Sequence, residues 1–142
     1  MGKQKEVTAG GDVTTRHRVL VVDDEESMRL LIAATLEKEL GVEVQLAGTC
    51  EQALRLAQTY AYDAILLDLK MPGIGGVGVL SNVRRSAPNA LTPVIIVSAV
   101  SDKAAITRCM SAGANAFVKK PLEFAELADT VRQQLATRAG AK

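Results

Sequence analysis

Residues 64–73 read Ala64-Ile65-Leu66-Leu67-Asp68-Leu69-Lys70-Met71-Pro72-Gly73. Four apolar residues in succession, with no polar alternation, are the mark of a strand buried on both faces of a parallel sheet. The run stops at a carboxylate and gives way to Pro72 and Gly73, which signal a turn. Two other runs have the same form. Val19-Leu20-Val21-Val22 is closed by Asp23-Asp24, and Val94-Ile95-Ile96-Val97 is closed by Ser98. Val42-Glu43-Val44-Gln45-Leu46 alternates instead and is expected at an edge. Ala116-Phe117-Val118, followed by Lys119 and Lys120, is a weaker fifth run.

Helical patterns lie between the runs. Met28, Leu31, Ile32, Leu36 and Leu40 recur at helical spacing. Glu25 and Glu26 open that helix at its positive dipole end, and Gly41 stops it. Further helices are expected at about Glu51–Thr59, Gly76–Ser86, Asp102–Ala112 and Glu123–Thr137. Pro121 stands just before the last, where proline is tolerated. A βα unit repeated five times predicts an α/β, doubly wound (βα)5 domain with right-handed crossovers over residues 18–138. Residues 1–17 are polar and rich in Gly and Thr, and read as a flexible arm. Residues 139–142 form a short tail.

Composition narrows the function. The chain has 142 residues, which suits one domain, and 48% are apolar, enough for a real core. The net charge is +1, against a basic nucleic-acid-binding face. Aromatics make up 3% with no Trp, against base-stacking platforms. Cys50 and Cys109 form no disulfide framework and read as small buried fillers in helices. Nothing suggests a signal peptide or a membrane span, so a cytoplasmic protein is expected.

Ligands of open α/β sheets bind beyond the carboxyl ends of the strands. Asp23 and Asp24, Asp68, Ser98 and Lys120 all occupy that slot, on four different strands. Three carboxylates in one crevice repel each other, and a hard divalent cation resolves the conflict. Mg²⁺ takes oxygen ligands and often pairs with a phosphoryl group. An ammonium at Lys120 and a hydroxyl at Ser98 complete a set suited to charge on phosphoryl oxygens. A carboxylate can itself be the nucleophile and form an aspartyl phosphate.

Taken together, Asp23-Asp24, Asp68-Leu69-Lys70-Met71-Pro72-Gly73, Ser98-Ala99 and Lys120-Pro121 resemble the receiver domain of two-component response regulators. The resemblance covers essentially all of residues 18–138. It implies a flavodoxin-like three-layer sandwich with a central five-stranded parallel sheet in the order 2-1-3-4-5. It also implies roles. Asp68 is the phosphoacceptor for a sensor histidine kinase or histidine phosphotransfer protein. Mg²⁺ is held by Asp24, Asp68 and the backbone carbonyl of Lys70, with Asp23 acting through water. Lys120 pairs with Asp68 and then with the phosphoryl group. Ser98 and Phe117 are the switch residues, acting on the face of the fourth helix, fifth strand and fifth helix. The Lys120-Pro121 bond is expected to be cis. The protein is then a self-phosphorylating phosphoacceptor with slow autodephosphorylation rather than a turnover enzyme. It is expected as a monomer or a phosphorylation-linked dimer.

The sequence departs from the family pattern in places. Gly75 stands where an acid is usual, so the third helix loses a side-chain N-cap, although Gly still caps acceptably. Phe117 replaces the commoner Tyr and Ser98 the commoner Thr. Lys70 and Val100 occupy positions that tune phosphoryl lifetime in the family. Gly73-Ile74-Gly75-Gly76-Val77-Gly78 matches G-x-G-x-x-G, but Asp68 to Pro72 separate it from the strand, so it reads as loop rather than a dinucleotide site. His17 is the lone histidine and lies in the arm, which excludes a His-based general base or zinc site. No P-loop motif is present. A haloacid-dehalogenase-like phosphohydrolase wants a second Asp two residues after the nucleophile, where Lys70 stands. The remaining alternative is a phosphorylation-independent receiver-like interaction module. No output domain is recognisable after Thr137, so a stand-alone receiver and the receiver part of a longer regulator are both open.

Overall fold

The five apolar runs become five parallel strands of one sheet: β1 (Arg18–Val22), β2 (Glu43–Ala47), β3 (Ala64–Asp68), β4 (Val94–Ser98) and β5 (Ala116–Lys119). Their order is β2-β1-β3-β4-β5, as the resemblance implies. A computed structural model describes residues 16–100 and 102–140. Residues 1–15 of the expected arm and 141–142 of the tail lie outside the described residues. Residue 17, assigned to the arm, already belongs to the sheet margin, since its carbonyl accepts the Glu43 N–H at 2.8 Å.

Alternate residues of a strand face opposite sides, so a continuous apolar run feeds two cores. Val19, Val21, Leu66, Ile95, Val97 and Val118 meet Ile32, Leu36, Leu127 and Val131 on one face. The helices there are α1 (Glu26–Leu40) and α5 (Phe124–Gly140). Leu20, Val22, Ile65, Leu67 and Ile96 meet Ala53, Val79, Leu80, Val83 and Ala105 on the other. That face carries α2 (Cys50–Thr59), α3 (Gly75–Arg85) and α4 (Lys103–Ser111). The alternating run became β2, an edge strand with only partial burial. Cys50 and Cys109 are buried fillers, as expected, and burial pushes the Cys109 thiol up.

Two expectations need correcting. Leu31 is not part of the core stripe of α1 but is 53% exposed beside an equally exposed Leu30. The buried stripe is Ile32, Ala33 and Leu36, and Leu31 sits a third of a turn away from it. Gly75 is not the N-cap of α3. Ile74 is, and Gly75 is the first helical residue, with φ 75.

Gly76 explains why this turn takes glycine. Its N–H donates to the Leu69 carbonyl at 2.9 Å. A Cβ there would stand 2.5 Å from the Asp68 carbonyl oxygen and 2.7 Å from Leu69 Cα. The first turn of α3 therefore presses on the backbone that carries Asp68. Overpacking against backbone predicts that Gly76→Ala loses about 2 kcal/mol or more. A lower urea midpoint than the parent checks this, and an unchanged midpoint refutes it.

The amino ends of the strands are tied by polar side chains that bond mostly to backbone. Asn89 is wholly buried. Its Nδ2 donates to the carbonyls of Ala57 at 2.6 Å and Tyr60 at 2.8 Å, while its Oδ1 accepts from the Tyr62 N–H and the Thr92 hydroxyl. The Arg84 guanidinium donates to the Gly113 carbonyl through Nε and Nη2, to the Thr92 carbonyl and to Asn115 Oδ1. That side chain joins α3 to the turn between α4 and β5.

Candidate functional site

The carboxyl ends of the strands form the opposite rim. Asp23 directly follows β1, Asp68 closes β3, Ser98 closes β4 and Lys120 directly follows β5. Because β1 and β3 are neighbours, their terminal carboxylates meet. Oxygens of Asp23, Asp24 and Asp68 all lie within 4.8 Å of one another. Asp23 and Asp68 are buried, and Asp24 is exposed. Asp23 Oδ1 accepts the Glu25 N–H at 2.9 Å, and Asp68 Oδ1 accepts a long bond of 3.4 Å from the Lys70 N–H.

Lys120 Nζ lies 3.0 Å from Asp23 Oδ2 and 3.6 Å from Asp68 Oδ2. The sequence reading pairs it with Asp68 alone, but the nearer partner is Asp23. Burial pushes the Asp68 carboxyl up. The Lys120 ammonium opposes this, and the Asp23 and Asp24 carboxylates add to it. Burial alone would pull the Lys120 ammonium down. Its hydrogen bond to Asp23 and the charges of Asp68 and Asp23 outweigh that and hold it above the usual lysine range. One ammonium thus contacts two of three clustered carboxylates. A cluster of hard oxygen donors with excess negative charge fits Mg²⁺ rather than a softer ion.

The other expected residues stand around this cluster. Ser98 is fully buried, and its Oγ accepts the Val100 N–H at 3.1 Å. Its carbonyl accepts the Lys120 N–H at 2.9 Å, which links the ends of β4 and β5. Phe117 is half-buried against the α2–α3–α4 core, in register with Ile96. The Lys120-Pro121 bond is cis, as the resemblance implies.

Arg29, on α1, is a neighbour of the cluster that the sequence reading does not single out. Its Nη1 donates to the Asp23 carbonyl at 2.7 Å. A signal was available. Arg29 falls in the first turn of α1, where the helix dipole favours anions over cations.

The sequence profile of the response regulator receiver domain matches residues 19–132. The chain belongs to this receiver domain family. Its sequence is 38% identical over 130 residues to the sensory/regulatory protein RpfC of Xanthomonas campestris, covering 86% of this chain and 18% of that protein. It is 35% identical over 120 residues to the response regulator GacA of Pseudomonas aeruginosa, covering 84% of this chain and 55% of GacA. The receiver domain therefore spans less than two thirds of the length of either relative. Among solved structures it is similar to the receiver domain of the sensor histidine kinase PA1611 from P. aeruginosa. That comparison has a TM-score of 0.77 and 28% identity, covering 86% of this chain and 99% of that one. The PA1611 receiver was solved with a magnesium ion coordinated in its active-site cleft. Among the described residues, no helix of this receiver is long and apolar enough to cross a membrane.

Proposed function

We propose that this receiver domain accepts a phosphoryl group on Asp68 from a phosphohistidine of a sensor histidine kinase or phosphotransfer protein. The convergence of Asp23, Asp24, Asp68 and Lys120 at one rim carries this reading. An Asp68 carboxylate oxygen attacks phosphorus, the O–P bond forms as the P–N bond of the donor breaks, and the leaving imidazole regains its proton. Lys120 lies close enough to Asp68 to reach the oxygens of a group attached there. Asp23, Asp24, Asp68 and the Lys70 carbonyl would hold Mg²⁺, which neutralises charge on the transferring group when bound. The Ser98 hydroxyl would exchange its bond with the Val100 N–H for one to a phosphoryl oxygen, and Phe117 would move into the space it leaves. The face of α4, β5 and α5 would then signal to a partner or output domain, in the cytoplasm where phosphohistidine donors are made.

Incubation with Mg²⁺ and acetyl phosphate, followed by intact mass, tests the reading. A gain of one phosphoryl group, about 80 Da, that EDTA abolishes is the expected result. No gain at any donor or Mg²⁺ concentration would leave a phosphorylation-independent interaction module.

A further inference from the structure

We propose that Arg29 is a positioning residue for the metal-binding carboxylates, acting through the Asp23 carbonyl from a seat that only a glycine at position 48 leaves open. The inference rests on the reading that Asp23, Asp24 and Asp68 hold Mg²⁺.

The peptide joining Asp23 to Asp24 decides where both carboxylates point. The Asp23 N–H is fixed at 3.1 Å to the Ala47 carbonyl, a continuation of the β1–β2 ladder. Its carboxylate oxygens are taken by the Glu25 N–H and by Lys120. The Asp23 carbonyl lies beyond the ladder, and Arg29 Nη1 holds it at 2.7 Å. The orientation of that carbonyl sets the torsion through which Asp24 leaves the backbone. Among the described residues, no hydrogen bond or ion pair holds the Asp24 carboxylate itself. Asp24 is therefore placed by its backbone alone, and the Arg29 bond holds that backbone together with those of the Asp23 and Glu25 N–H groups.

The guanidinium is itself seated. It lies over Gly48, at the end of the β2 ladder, where a Cβ would stand 2.7 Å from Nη1 and 3.1 Å from Cζ. Gly48 is held in turn, since its N–H donates to Gln52 Oε1 at 2.9 Å while Thr49 caps α2 by accepting the Gln52 N–H. Arg29 thus clamps the loops after β1 and β2 together on the rim that carries the carboxylates. Metal sites depend on such outer partners nearly as much as on their ligands.

Sign separates positioning from simple charge. Removing a cation beside three carboxylates strengthens Mg²⁺ binding if charge is all that Arg29 contributes. Removing a positioning group weakens it. Mg²⁺ titrations followed by amide chemical shifts, with no phosphodonor, should show Arg29→Ala binding about tenfold more weakly than the parent. Gly48→Ala, which displaces the guanidinium, should also bind more weakly. The double variant should bind no more weakly than Arg29→Ala alone, because both changes undo one clamp. The half-saturating Mg²⁺ for phosphorylation should rise likewise, while the rate at saturating Mg²⁺ returns to the parent value, a split that general destabilisation does not produce. Equal or tighter Mg²⁺ binding by Arg29→Ala, or additive losses in the double variant, would overturn the proposal. A parent protein that binds no Mg²⁺ would instead overturn the metal reading beneath it. Thermal midpoints in EDTA identify any variant that does not fold, and Gly48→Ala then carries the test without touching Arg29.

Discussion

Asp68→Asn is expected to take up no phosphoryl group under conditions that label the parent receiver completely. The amide has the shape of the carboxylate, so the end of β3 keeps its geometry. It has no anionic oxygen to attack phosphorus, and it gives the cluster one less negative ligand. The same change should stabilise the resting protein. Burial and two neighbouring carboxylates make an ionised Asp68 unfavourable, with the Lys120 ammonium 3.6 Å away only partly offsetting them. A neutral amide removes that repulsion, so the thermal midpoint in EDTA should rise, and Mg²⁺ should raise it less than in the parent. Intact mass and a melting curve check both. Equal mass gains in variant and parent would place the acceptor elsewhere.

Lys120→Ala should give the largest loss of stability among the site variants, and one that depends on the metal. Its ammonium is the positive charge that contacts the buried Asp23 and Asp68 carboxylates. Without it those carboxylates lose the cation that contacts their oxygens, since the Arg29 guanidinium bonds the Asp23 carbonyl instead. Breaking a buried ion pair by removing one partner costs about 3 kcal/mol or more, and the opening of this site toward solvent argues for the lower end of that range. The loss should be read by urea denaturation in EDTA. A divalent cation then replaces the missing charge, so Mg²⁺ should raise the stability of Lys120→Ala more than that of the parent. Equal Mg²⁺ increments in the two proteins would show that Lys120 and the cation do not share the same carboxylates.

The fold was legible because it is written in burial. A strand covered on both faces has no room for a polar residue until it ends, so Val19–Val22, Ala64–Leu67 and Val94–Val97 announce both themselves and their carboxyl ends. The site was legible for the same reason, since Asp23, Asp68 and Ser98 each stand at the first position where an apolar run stops, and Asp24 and Lys120 one residue beyond. Leu31 was misplaced because a helical period tolerates a neighbouring apolar residue without saying that it is exposed. Arg29 and Arg84 were not singled out, and the cause is chemical. Most of their acceptors are backbone carbonyls, which every residue carries, so no partner residue type at a set spacing marks the contact. Gly48, beneath Arg29, and Gly113, beneath Arg84, are the trace such contacts leave, as positions where a missing side chain makes room.

The hydrogen bonds of Arg84 and Asn89 give this molecule two unlike poles. At the site, cohesion is a matter of counter-charge, and one added ion or one phosphoryl group rewrites it. At the far pole, the donors end largely on carbonyl dipoles, which neither salt nor ordinary pH alters. Arg84 holds the turn just after α4, at the Gly113 carbonyl. The carboxyl end of α4 is thereby tied to α3, while among the described residues its amino end is held only by its own cap, the Asp102 carboxylate accepting the Ala105 N–H at 2.8 Å. Charge added or removed at the rim therefore leaves the bonds of the far pole as they were.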